Sequence, residues 1–163
     1  AFLSSMGFTD MEQKDIKLEK RIGDTIPDGT LLTFLFRNKN NDDDPRVQIC
    51  LMNDDANYAN ITIAYWGEFV YHGNVTNGNA SKEAYNPILY IDRYNSYLDW
   101  WTVDLHKVSR YHMNVCVIGY CFKKPLVFAI SLDGIKTIRI FSGGIYFDDL
   151  LFSMQRPDRN ILH

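Results

Sequence analysis

The sequence lacks the features that mark several large classes of protein. No apolar run approaches about 18 residues, so no membrane-spanning helix is expected. Lysine and arginine together number 17 against 20 acidic residues, for a net charge of −3. Because no basic cluster offsets this balance, nucleic acid and anionic membranes are poor partners. No linker, repeat or low-complexity tract is visible, so residues 1–163 are expected to form a single globular domain.

Catalytic motifs are also missing. The chain contains no His-Glu-x-x-His, no Gly-x-Ser-x-Gly and no glycine loop of the kind that holds phosphates. The acidic cluster Asp42 to Asp44 lacks the glycine and downstream glutamate of an EF-hand loop. A second cluster, Asp148-Asp149, sits in the strand-like run FDDLLF, where one carboxylate should face solvent. We therefore expect no enzyme, no metal site and no cofactor.

Cysteine is scarce, and its positions suggest one cross-link. Cys116 and Cys121 flank the segment VIGY, and a two-residue turn at Ile118-Gly119 would place them directly opposite each other. Two free thiols remain the alternative, because closing so short a loop gains little chain entropy. Cys50 stands alone and is expected to be buried and free if the other two are bonded.

Period-two alternation of apolar residues recurs along the chain, whereas sustained helical periodicity does not. Turn-forming residues separate these runs at short intervals, which is typical of an antiparallel sandwich. The predicted fold class is all-β, with about ten strands. The charged segment TDMEQKDIKLEKRI fits either a helix or an edge strand guarded by charges. The apolar sets begin at Leu32, Val47, Ile61, Trp101, Met113, Leu126, Ile138 and Ile145.

Seven segments follow one another in the order IPDGTLLTFLFR, VQICLMND, NITIAYW, EFVYHGNVTNGNASKE, WWTVDLHKV, MNVCVIGYCF and IKTIRIFSGGIYFDDLLF. This order resembles the galectin family over roughly residues 22–152. This resemblance implies a galectin- or concanavalin-like jelly roll of two antiparallel sheets. It also implies a binding protein rather than an enzyme.

The family's sugar-binding motif is largely replaced in this sequence. Its His-x-Asn-x-Arg falls on Ala64, Trp66 and Glu68 within IAYWGE. Its following asparagine, in Val-x-Asn, falls on His72 within VYH. None of the four family residues is retained at these positions.

The second half of the motif has changed as well. The family's stacking tryptophan falls on Ala80, its glutamate on Glu83 and its later arginine on Tyr85. Only the glutamate is kept among the seven positions. Since a site built to bind hydroxyls rejects a ligand it cannot pair, ordinary galactoside binding is not expected.

The altered face still offers four candidate ligand residues, Trp66, Glu68, His72 and Glu83. A tryptophan beside a carboxylate suits a pyranose ring, and it equally suits a protein partner, because interface hot spots favour tryptophan. The alternatives are structural: Trp66 packing beneath a loop or a glycan, His72 without a ligand contact, and Glu83 in a local salt bridge.

Three Asn-x-Ser/Thr sequons begin at Asn60, Asn74 and Asn79, and we predict glycosylation there. Two of them lie in NVTNGNASKEAY, predicted as a loop beside the family's sugar site. The expected setting is extracellular or secreted, with the cytoplasm as the alternative. The expected partner is a protein or glycoprotein, and a non-galactoside glycan is the second hypothesis.

Overall fold

The structure is a computed structural model that describes residues 16–23, 25–37, 46–66, 70–76, 88–90, 100–142 and 149–157. Side chains are described over 18–23, 25–35, 47–61, 102–141 and 151–157. The described residues form two six-stranded sheets whose strands pair antiparallel, as the alternation predicts. Within them no helix is long and apolar enough to cross a membrane.

The first sheet has the strand order β1-β11-β3-β4-β5-β6. Its strands are β1 (Ile16–Arg21), β3 (Arg46–Asn53), β4 (Tyr58–Trp66), β5 (Val70–Thr76), β6 (Ile88–Tyr90) and β11 (Ile135–Ser142). The charged segment near the start of the chain is therefore an edge strand over its described part, and it pairs with β11. The helical alternative is wrong for these residues.

The second sheet has the order β10-β8-β7-β2-β12, with β9 paired to β8. Its strands are β2 (Leu31–Arg37), β7 (Trp100–Ser109), β8 (His112–Val117), β9 (Tyr120–Cys121), β10 (Leu126–Val127) and β12 (Asp149–Gln155). Phe34 of β2 and Phe152 of β12 place their ring centroids 5.0 Å apart, which adds an aromatic contact to the ladder between these strands.

The core lies between the sheets and is built from alternate residues of each strand. In β8 the inward residues Met113, Val115 and Val117 are fully buried, while the residues between them are half-buried. Inward residues follow this period in both sheets, as the sequence predicts, but in β3 the residues between them, Gln48 and Cys50, are buried as well. The remaining fully buried strand residues include Leu32, Phe34, Ile49, Leu51, Ala59, Ile61, Leu105, Ile138 and Ile140.

A buried lysine links the two sheets at one end of the core. Lys107 continues the inward parity of β7 and is 1% exposed. Its Nζ donates to the carbonyl of Ile26 and to Asp133, and it lies 2.9 Å from Oδ1 of Asp28. Asp133 belongs to the short 3-10 turn Leu132–Gly134 that leads into β11. One ammonium thus joins the second sheet to both neighbouring chain turns.

The pKa of Lys107 reflects two opposing effects. Burial lowers it, since a desolvated ammonium is disfavoured, but hydrogen bonds and charges from Asp133 and Asp28 outweigh that effect. The net result is a pKa above the ordinary lysine value. The amine is therefore charged at neutral pH although its side chain is buried.

Candidate functional site

The sugar-reading face predicted from the sequence lies on the first sheet, on β4 and β5. The ladder pairs Ala64 with His72 and Trp66 with Val70. Trp66 and His72 therefore occupy diagonal positions of the ladder, on the same face of the sheet. The backbone register thus brings together two of the four candidate residues.

The other candidate residues of this face are not placed. Glu68 and Glu83 lie outside the described residues, as do Ala80 and Tyr85. Trp66 and His72 are described at the level of their strands only. The acidic run Asp42 to Asp44 also lies outside the described part of the chain, and so does Asp148.

Further along the same sheet, the outer face is closed to solvent. The core residues of β3 and β4 alternate with Gln48, Cys50 and Asn60, which therefore belong to the outer face. These three are only 2%, 4% and 3% exposed. Cys50 and Asn60 are direct partners in the β3–β4 ladder. A ligand lying across the sheet would meet no open surface at this row.

Asn60 has a further peculiarity, because its buried Oδ1 has no hydrogen-bond partner. Burial of this side chain weighs against a glycan at Asn60 in the folded protein, since N-linked glycans occupy surface positions. Asn74 lies in β5 opposite Thr62, within a strand and not in the loop predicted from the sequence. Asn79 lies outside the described residues. Glycosylation of Asn74 and Asn79 stays a prediction.

The cysteine hairpin has the register that the turn residues predict. Val117 pairs with Tyr120, and Cys116 pairs with Cys121. The two sulfurs are bonded in the structure, with Cα atoms 4.0 Å apart. Cys50, in the other sheet, is buried and takes no part in this disulfide.

Comparison with solved structures identifies the architecture. One similar structure is a double variant of human galectin-16, with a TM-score of 0.55 and 14% identity over 83% of this chain and 94% of that one. The fold is that of a galectin. Galectin LEC-6 of Caenorhabditis elegans gives the same TM-score with 15% identity, over 88% of this chain and 99% of that one. Sheep galectin-11, solved with glycerol, gives 0.57 with 6% identity, over 83% and 96%.

No protein-family model and no curated sequence matches the chain. The galectin-like architecture is therefore recovered from three-dimensional shape, while the sequence is only 6–15% identical to the three structures named above. The similarity of shape supports the fold. Because the sequence identity is so low, the ligand has to be argued from the residues themselves.

A groove lies on the outer face of the second sheet. It was not predicted from the sequence. Its volume is about 710 Å³, within the usual range for ligand sites. Gly29 and Pro157 close one end: a Cβ at Gly29 would lie 3.1 Å from Cγ of Pro157, and Gly29 has φ of +90°. The signal in the sequence was the polar set at alternate positions of TVDLH, whose members face away from the core. The lining residues are Gly29, Leu31, Asp104, His106, Asn114, Cys116, Cys121, Phe122, Lys123, Gln155, Arg156 and Pro157.

Proposed function

We propose that this chain is a non-enzymatic binding module of the galectin fold that engages a protein or glycoprotein partner outside the cell. It does not bind ordinary β-galactosides. The observation that carries the proposal is the β4–β5 ladder, where Ala64 stands opposite His72. The resemblance places a histidine and an asparagine of the family's donor set at these two positions, so their pairing with galactose hydroxyls is lost.

The closed outer face of β3 and β4 supports the same conclusion. Cys50 and Asn60 leave no exposed polar edge at their row, so an extended galactoside gains no hydrogen bonds there. The positions of Ala80 and Tyr85 add to this, since neither side chain replaces the family's tryptophan or arginine. The extracellular setting rests on the sequons and on the Cys116–Cys121 bond, which persists in oxidising compartments.

Lactose is the ligand whose failure tests the proposal. Loss of the aromatic stack removes about 1 kcal/mol, and each buried hydroxyl left unpaired costs about 1–3 kcal/mol more. Starting from the modest affinities of lectins, binding should fall beyond the millimolar range. Titration calorimetry of the wild-type domain with lactose measures this directly. A dissociation constant below about 1 mM would contradict the proposal.

A second candidate function is a lectin of altered specificity that uses Trp66, Glu68, His72 and Glu83. The diagonal placement of Trp66 and His72 in the ladder favours it. A glycan array on the enzymatically deglycosylated domain separates the two candidates. A glycan bound by the wild type and lost in Trp66→Ala supports the lectin, and Tyr111→Ala is the matched control because Tyr111 is an exposed aromatic residue in the turn between β7 and β8 of the other sheet.

A further inference from the structure

The groove on the second sheet has a floor made of two rows of residues that run across the strands. Gln155 pairs with Leu31, Leu31 with His106, and His106 with Asn114. The row thus crosses β12, β2, β7 and β8. Three strand spacings of about 4.8 Å make it roughly 14 Å long, enough for a short chain of rings rather than a single small molecule.

The second row runs parallel to the first and carries a carboxylate. Thr33 pairs with Asp104, and Asp104 pairs with Cys116, whose partner is Cys121. Thr33 Oγ1 donates to Oδ1 of Asp104 at 2.9 Å, which fixes the carboxylate on the floor. A carboxylate has about four lone-pair positions, so Asp104 keeps acceptors for further donors.

The floor also provides uncommitted polar side chains and one apolar contact. Within the described part of the chain, the side chains of His106 and Asn114 make no hydrogen bond, and both belong to the outward parity of their strands. Leu31 lies between Gln155 and His106 in the first row and is half-buried. Acceptors and donors around a small apolar patch match a sugar ring, which has hydroxyl edges and a non-polar face.

Positive charge stands at both margins of the groove. Lys123 follows β9 on one side, and Arg156 follows β12 on the other. Arg156 Nη1 donates to the carbonyl of Thr25 at 2.7 Å, which orients the guanidinium and leaves its remaining N–H groups available. The chain as a whole has a net charge of −3, yet both margins of the groove carry a cation. The groove therefore favours a ligand with anionic groups at its two ends.

We propose that this groove binds a short acidic oligosaccharide that carries carboxylates on separate rings. The carboxylates bind Lys123 and Arg156, and the hydroxyls between them bind Asp104 and Asn114. A peptide strand is disfavoured, because the floor of the groove is the face of β2, β7 and β8, whose backbones are already paired on both sides. The site is independent of the first-sheet face, so its existence does not depend on the proposed function above.

Calorimetry with tetragalacturonate on the whole chain tests the charge at the margin. Wild type should bind with a dissociation constant of about 0.1–1 mM, and Lys123→Gln should weaken binding about tenfold through loss of one charge-assisted bond. Lys124→Gln is the matched control, since Lys124 is the exposed neighbour that does not line the groove. The fully methyl-esterified tetrasaccharide should bind weakly, with the same affinity for wild type and Lys123→Gln.

Asn114→Ala tests the floor and should weaken tetragalacturonate about fivefold with no change in melting temperature, because its side chain makes no bond within the described residues. Absence of binding at low-millimolar ligand would overturn the site. So would equal loss in Lys123→Gln and Lys124→Gln, or tetraglutamate binding as tightly as the saccharide. Weak lactose binding in the same titrations leaves this result unaffected, so the two proposals fail separately.

Discussion

Lys107 shows how one residue can hold a corner of the fold. Its ammonium is the only donor described for the Ile26 carbonyl, and its carboxylate partners Asp28 and Asp133 are 66% and 43% exposed. The carboxylates can return to water if the lysine is lost, but the buried carbonyl cannot. Most of the cost of losing Lys107 therefore falls on the backbone group and on the packing of the lysine stem.

Lys107→Met keeps the volume of the stem and removes the charge. We expect it to lower the free energy of unfolding by about 1–3 kcal/mol, since the buried carbonyl of Ile26 loses its donor. Urea denaturation measures the change. Lys20→Met is the control, because Lys20 is an exposed residue of β1, and it should change stability by less than about 0.5 kcal/mol.

The stability that Lys107 contributes should depend on pH in a definite direction. Because the folded pKa of Lys107 lies above the ordinary value of 10.5, its contribution is complete below that pH and is lost as pH rises through the folded pKa. Wild type and Lys107→Met should thus differ by a constant amount near neutral pH, and the difference should narrow in strong alkali. A gap that instead closed on acidification to pH 6 would show that the pair does not act as described.

At the scale of single residues, the sequence predicts the inward set of β7 only in part. Val103 and Leu105 are recognised by their apolar side chains, but the same parity carries Lys107 inward. No local signal distinguishes this lysine from an exposed one, because its partners come from chain turns remote in sequence. Only the period-two pattern indicates that Lys107 points inward, and the charge of its side chain indicates the opposite.

At the scale of hairpins and strand ends, the turn of the cysteine hairpin has an unusual conformation for its residues. Ile118 and Gly119 have φ of 50° and 80°, the pair of positive values that a type I′ turn requires. Glycine adopts this region freely, whereas a β-branched residue does so at a cost. The cross-link between Cys116 and Cys121 therefore closes a turn whose first central residue disfavours it.

Mass spectrometry after alkylation in denaturant, without reductant, tests that cross-link in secreted material. One labelled cysteine is expected, namely Cys50, which is buried until the chain unfolds. Replacing both Cys116 and Cys121 by serine should lower stability by about 2 kcal/mol, the entropy expected for a loop of this length. Three labels on the wild type would refute the bond.

The segment that follows the hairpin separates burial from strand pairing. Residues 126–132 alternate in burial as the sequence predicts, with Leu126, Phe128, Ile130 and Leu132 inward. The predicted strand nevertheless ends at Val127. Phe128 N donates to the carbonyl of Tyr111, outside the ladder, so the side chains keep their period while the backbone leaves the sheet. Hydrophobic pattern specifies the face of a residue, and not the partner of its backbone.

For the molecule as a whole, the two-sheet architecture is predictable and the assignment of strands to sheets is not. Consecutive strands β2 and β3 lie in different sheets, as do β11 and β12. Alternation is the same in either sheet, so only tertiary pairing decides which one a strand joins. The groove could not be predicted from the sequence for a similar reason. It is assembled from β2, β7, β8 and β12, and no contiguous motif marks it.

A shared core predicts that residues 1–163 unfold as one unit, as expected for a single domain. Tryptophan fluorescence and far-ultraviolet circular dichroism should give coincident urea transitions with one midpoint. Limited proteolysis should leave a fragment that retains both β1 and β12, since the two sheets enclose the same apolar layer. Two separated transitions would show that part of the chain folds independently.

The placement of β2 has a consequence for the biosynthesis of the chain. Its Phe34 pairs on one side with Val103 of β7 and on the other with Phe152 of β12. While the ribosome is still making the middle of the chain, β2 has neither neighbour, and both of its edges expose unpaired amides and carbonyls. Closing such long loops is slow, and uncovered strand edges are where nascent β-proteins associate with one another. A chaperone that shields Leu31–Arg37 until β12 emerges would therefore raise the yield of this domain.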